Sequence, residues 1–223
     1  MADTGVPAWR RDTGPQNRLP AAAAALAAAA LQLTLAPRLS LHPRWLLPAL
    51  ELAFLLVLSV ANPVRMNRES SALRVASIGL VASITAANGT SAVLLATRLV
   101  AGTAGEQAGP LLLSGGSIYL TNVLAFALWY WETDRGGPHA RAAARQPHPD
   151  FLFPQMATPE VADPDWEPLF VDYLYLSFTN ATAFSPTDTL PLARWAKLLM
   201  LGQAAVALVT VALVVARAVN VLR

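Results

Sequence analysis

Apolar positions along this chain fall into long unbroken runs instead of the alternation of a soluble fold. Runs at 19–36, about 45–61, 75–96, 111–131 and 192–222 each approach or exceed the ~20 residues that cross a hydrocarbon layer as a helix. A sixth run, 168–184, is shorter and ends in hydroxyls before the turn residues 185–188. The breaks fall at punctuation: Pro37, Asn62-Pro63, Gly136-Gly137-Pro138 and Ser185-Pro186. The pattern predicts an all-α, polytopic transmembrane bundle of five to six membrane segments. It divides the chain into a disordered cytoplasmic tail (1–18), a four-helix region (19–131), a Pro-rich loop (132–166) and a helix–polar turn–helix module (167–223).

Composition sharpens this reading. The chain is 55% hydrophobic and 13% charged, about half the charge of an ordinary soluble domain. The first 18 residues carry Arg10, Arg11 and Arg18 ahead of an Ala-rich run. The leader is long for a signal peptide and the run nearly spans, so an uncleaved first helix is expected. Trp129-Tyr130-Trp131 close the fourth run and are expected to form an interfacial aromatic belt. With six spans, the inner side receives Arg10, Arg11, Arg18, Arg65, Arg68, Arg74, Arg135, Arg141, Arg145, Arg217 and Arg223. The outer side receives Arg38, Arg44, Arg98, Arg194 and Lys197. Eleven against five predicts both termini in the cytoplasm, with the protein expected in the plasma (inner) membrane; the Arg-over-Lys and Ala-rich usage is consistent with a GC-rich bacterium.

Several chemistries are excluded or unsupported. There is no cysteine, so no disulfide, thiolate ligand or thiol nucleophile. His42, His139 and His148 are not spaced as metal ligands, and no cofactor is expected. No nucleic-acid motif, phosphate loop or Ser-His-Asp set is present, and an enzyme is not expected.

Two motifs stand out: residues 128–138 (LWYWETDRGGP) and 173–188 (YLYLSFTNATAFSPTD). With them, residues 117–222 resemble an uncharacterised family of bacterial multi-pass integral-membrane proteins, which implies a shared fold and carries no activity. More distantly, residues 117–222 are similar in order to the two-helix pore module of potassium channels. Tyr175-Leu-Ser-Phe178 resembles the end of a pore helix, and Asp188-Thr-Leu-Pro191 resembles the segment after the filter. The resemblance places Thr182 through Thr187 at filter positions. Ser185 and Thr187 stand where such a filter has glycine, and Pro186 has a fixed φ, so potassium selectivity is not implied.

The residues themselves suggest three functions. In the first, the module is channel-like and conducts a monovalent cation past Asp172, Thr179, Asn180, Thr182, Ser185, Thr187 and Asp188, in a homo-oligomer around an axis. In the second, the 138–166 loop captures a partner and the protein is a membrane scaffold. In the third, Glu51 and Asp172 are coupling acids of a small secondary transporter. Two intramembrane ion pairs are expected, Asp172 with Arg217 and Glu51 with Arg98. Packing is the plainer role for the hydroxyls, with the lipid bilayer as the surrounding partner.

Overall fold

A computed structural model describes residues 6–62, 64–66, 70–102, 108–182 and 188–221. Each of the six apolar runs is helical: α1 Leu19–Thr34, α2 Leu46–Ala61, α3 Ser71–Val100, α4 Ala108–Thr133, α7 Phe170–Thr182 and α8 Arg194–Val221. Two short helices, α5 Pro138–Ala142 and α6 Pro154–Ala157, lie in the loop between α4 and α7. A two-residue strand β1 (Phe151–Leu152) pairs antiparallel with β2 (Leu190–Pro191). Three of the helices, α3, α4 and α8, are long and apolar enough to cross a bilayer. α1 and α2 are apolar but have 16 residues each.

Local sequence explains the ends. Pro20 sits in the first turn of α1, where its missing N–H costs nothing. Ser70 caps α3, its side chain accepting from the Leu73 amide at 3.2 Å. Asp172 accepts from the Leu169 amide at 2.8 Å at the start of α7. α4 ends because Arg135, Gly136 and Gly137 all take positive φ, after which Pro138 opens α5.

α4 is the hub, packing against α1, α3, α7 and α8. Cross-bundle contacts fix the helix directions. Thr34 bonds Ser117 at 2.8 Å while Arg18 lies in the field of Glu132, so α1 runs antiparallel to α4. Tyr130 bonds Gln203 at 2.6 Å, and Gly115 lies against Val214, so α8 also runs antiparallel to α4. A Cβ at Gly115 would sit 2.6 Å from Val214 Cγ2, which is why no larger residue fits there.

The bundle therefore has two distinct ends. At one, here the cap end, lie residues 6–18, 62, 64–66, 70–74, 132–169 and 188–197. At the other, the open end, lie the α1–α2 connection, the end of α3, the start of α4 and the last turns of α8. The sixth helix breaks the up-and-down order. α7 starts at the cap end, where Tyr173 bonds Asp134, and descends beside α8 until Asn180 meets Met200 and Gln203. The chain then returns to the cap end, where Leu190 and Pro191 pair with Leu152 and Phe151 and the Leu192 amide donates to Asp150. α7 is thus a half-helix that leaves and rejoins the same end. Its 13 residues span ~20 Å, short of the ~30 Å hydrocarbon layer.

Two expectations change here. The tail is not disordered over residues 6–18. Ala8 and Trp9 are buried, the Ala8 amide donates to Pro164, the Thr13 amide donates to Ala142, and Arg11 pairs with Asp165. Its order comes from partners distant in sequence, at 64–66, 142 and 164–165, so nothing local announces it. The described N-terminal segment and the end of α8 also lie at opposite ends of the bundle, because a half-helix adds no crossing.

Candidate functional site

The strongest concentration of chemistry lies where the two sequence motifs meet, under the cap. Asp134, Arg135, Arg141 and Tyr173 are each at most 2% exposed. Charges so placed must be paired and hydrogen-bonded or the fold would not tolerate them. Asp134 Oδ2 accepts from the Tyr173 hydroxyl at 2.6 Å, and Oδ1 accepts from the Asp150 amide at 3.0 Å. Asp150 in turn accepts from the Arg135 amide at 2.8 Å and from Trp195 Nε1 at 3.2 Å. Arg141 donates to the carbonyls of Trp131 and Asp134 and to Gln16 Oε1, while its guanidinium lies 5.0 Å from the Tyr173 ring centroid. Arg135 donates to the Trp9 carbonyl. Burial pushes the Asp150 carboxyl up and the Arg135 guanidinium down from their ordinary pKa values.

The left-handed turn brings these groups together. Arg135 at φ 50° and Gly137 at φ 98° reverse the chain within four residues of α4. Gly137 is required twice over. A side chain there would be strained, and its Cβ would lie 1.9 Å from Arg74 Nη1 and 2.8 Å from the Glu132 carbonyl. The aromatic motif is core and not an interfacial belt. Tyr130 and Trp131 are buried, and Trp129 Nε1 bonds Thr85 at 2.8 Å. Phe151 stacks edge-on against Tyr173 and Trp195. Trp45, by contrast, is 62% exposed.

A second polar cluster lies deeper and holds α7 in place. Gln203 is fully buried. Its Nε2 donates to the Ser177 hydroxyl and carbonyl at 2.7 and 2.8 Å, and its Oε1 accepts from Tyr130 and Asn180. Ser177 donates to the Val123 carbonyl and Asn180 to the Met200 carbonyl. Asn122 donates to the Gln203 carbonyl. Gln203 received no attention in the sequence reading. Its signal is the one amide in the apolar stretch 198–216 of a 28-residue helix, which in lipid needs partners on neighbouring helices.

The expected ion-pathway residues do not converge. Asp172 caps its own helix at the cap end. Thr179 and Thr182 donate to carbonyls one turn back. Asn180 points into the Gln203 cluster, and Asp188 is exposed beyond the return. Ser185 and Thr187 lie outside the described residues. The outward face of α7 is apolar. Val171, Tyr175 and Phe178 border an open groove of about 770 Å³, with Leu31, Leu120 and Leu124 opposite.

The expected ion pairs are also revised. Asp172 does not reach Arg217. Both helices begin at the cap end, and Arg217 is 23 residues past the start of α8, ~35 Å down the axis. Glu51 is buried against Gln32, whose Nε2 donates to both carboxylate oxygens at 2.9 Å. Among the described residues no ion pair joins Glu51 to Arg98. No cluster of three metal-ligating side chains occurs among the described residues. Comparison with known proteins returned no matching family model, curated protein or solved structure.

Proposed function

We propose that the chain is a multi-pass plasma-membrane protein without catalytic activity, built from five crossings and one re-entrant half-helix. A folded cytoplasmic cap presents its surface to partners. The observation that carries the reading is the return of α7 to the cap end while its polar groups bond α4 and α8. A path for ions needs polar groups facing water, and here they face protein. Exposed aliphatic side chains along the helices, such as Leu56, Val60, Val93, Leu113, Leu198 and Leu208, suit contact with lipid.

The positive charges assign the cap to the cytoplasm. Relative to six spans, five crossings exchange Arg217 and Arg223 for Arg194 and Lys197 on the inner side. The count stays at eleven against five, so the same bias supports a carboxyl terminus outside. The partner-facing surface is the ridge of residues 157–165, exposed almost throughout and carrying Glu160 and Asp163. It rests on Met156 and Phe153, which are buried in the core.

In sealed vesicles of defined orientation, the purified protein should leave K⁺ and Na⁺ gradients no leakier than protein-free vesicles. Replacing residues 158–163 by a Gly-Ser linker should leave insertion and thermal stability intact and abolish binding of a partner that the intact cap holds. A saturable cation flux would reject the non-conducting reading. One observation favours a second reading, a cation site of a channel or transporter. α7 stops at half depth, and the carbonyl end of a half-helix attracts cations. There, Asn180→Leu and Thr182→Val should abolish flux.

A further inference from the structure

At the cap end, a small cavity of about 40 Å³ lies between the start of α3, the end of α2 and the turn after α4. Its polar lining includes Arg18, Ser70, Arg74, Ser77, Glu132 and His139. Arg18 is 5% exposed, and among the described residues its guanidinium has no hydrogen-bond acceptor, though it lies in the field of Glu132. A guanidinium presents five donors, and an acceptor seated in the cavity would satisfy those of Arg18 that face it. Arg74 threads over Gly137 to reach the same space, yet its contact with Glu132 is loose, 3.7 Å from Nη1 to Oε2. Glu132 is the one carboxylate in the lining, and it lies in the field of Arg74 and Arg18. Two arginines face one carboxylate, leaving one positive charge and several donors in excess.

We propose that Arg18 and Arg74 bind a phosphate-class oxyanion in this cavity. The size fits: at ~10–15 Å³ per water, the space holds about three waters, the bulk of a tetrahedral oxyanion. The first turn of α3, a 30-residue helix, borders the cavity with its positive end and favours an anion there. In the five-crossing arrangement the cavity lies at the level of the inner-leaflet headgroups. The phosphate therefore has two sources, a phospholipid headgroup or inorganic phosphate.

The test is thermal unfolding of the full chain in a mild detergent. It is titrated with inorganic phosphate at constant ionic strength, and separately with phosphatidic acid against diacylglycerol, which lacks only the phosphate. A saturable rise in midpoint with phosphatidic acid alone assigns the lipid source. A rise with inorganic phosphate assigns the soluble one. Arg18→Gln should weaken the active probe at least about tenfold, the loss of a charge-assisted hydrogen-bond set. Glu132→Gln removes the opposing charge and should tighten it several-fold, a gain that misfolding cannot imitate. No shift with either probe overturns the proposal, as does an unchanged apparent affinity in both variants.

Discussion

The two ends of the bundle are stabilised by different means. At the cap end, charged and aromatic side chains are buried and tied across long sequence distances: Arg135 to Trp9, Arg141 to Gln16, Asp134 to Tyr173. At the open end, contacts are mostly among small and aliphatic groups, as where Leu35, Leu39, Leu95, Leu111, Ile118 and Val214 cluster. The Gln32–Glu51 pair is a local tie between neighbouring helices there. A half-helix explains the contrast. In the membrane-embedded arrangement proposed above, hydrophobic burial alone would not hold α7 at half depth, because lipid is as apolar as its own leucines. Directed polar contacts at the cap and at Gln203 set its depth, whereas full crossings need no such device.

This contrast ranks the substitutions. Asp134→Ala should be the most damaging, at about 3–5 kcal/mol, because it removes the carboxylate paired with buried Arg135 and leaves the Tyr173 hydroxyl and the Asp150 amide without their acceptor. Thermal or denaturant unfolding in detergent should show it, and an effect under 1 kcal/mol would mean that the cap charges are solvated. Gly137→Ala should follow, at about 1–3 kcal/mol, from strain at φ 98° and the displaced Arg74. Gln203→Leu loses several interhelical bonds of ~0.6–1.7 kcal/mol each and should cost about 2 kcal/mol. Glu51→Gln at the open end should change stability by under about 1 kcal/mol, since an amide still accepts one bond from Gln32. A larger loss would show that the open end also depends on buried charge, and the contrast would fail.

Much of the fold was legible in hydrophobic runs. Six helices lie within a few residues of the six apolar segments, because backbone groups in an apolar stretch have no alternative but to bond within the helix. The two motifs were also visible, and the structure shows that they pair through Asp134–Tyr173 and Tyr130–Gln203–Asn180. The re-entry of α7 was not legible. Residues 168–184 read as a short apolar helix whichever way the chain leaves it, and the positive-charge count is identical for five or six crossings. The decisive features are a two-residue strand pair and one aspartate, Asp150, that accepts from Trp195. Neither has a periodic signature. The order of residues 6–18 was hidden for the same reason, since Arg135, 126 residues away, donates to the Trp9 carbonyl.

The central claim is that the chain enters and leaves α7 on one side of the membrane. The absence of native cysteine makes this directly measurable with single-cysteine variants His148→Cys and Asp188→Cys, both at exposed positions on either side of α7. Sealed, oriented vesicles treated with an impermeant maleimide should label both from the same side, opposite to Val219→Cys. Labelling of positions 148 and 188 from opposite sides would make α7 a full crossing and contradict the account.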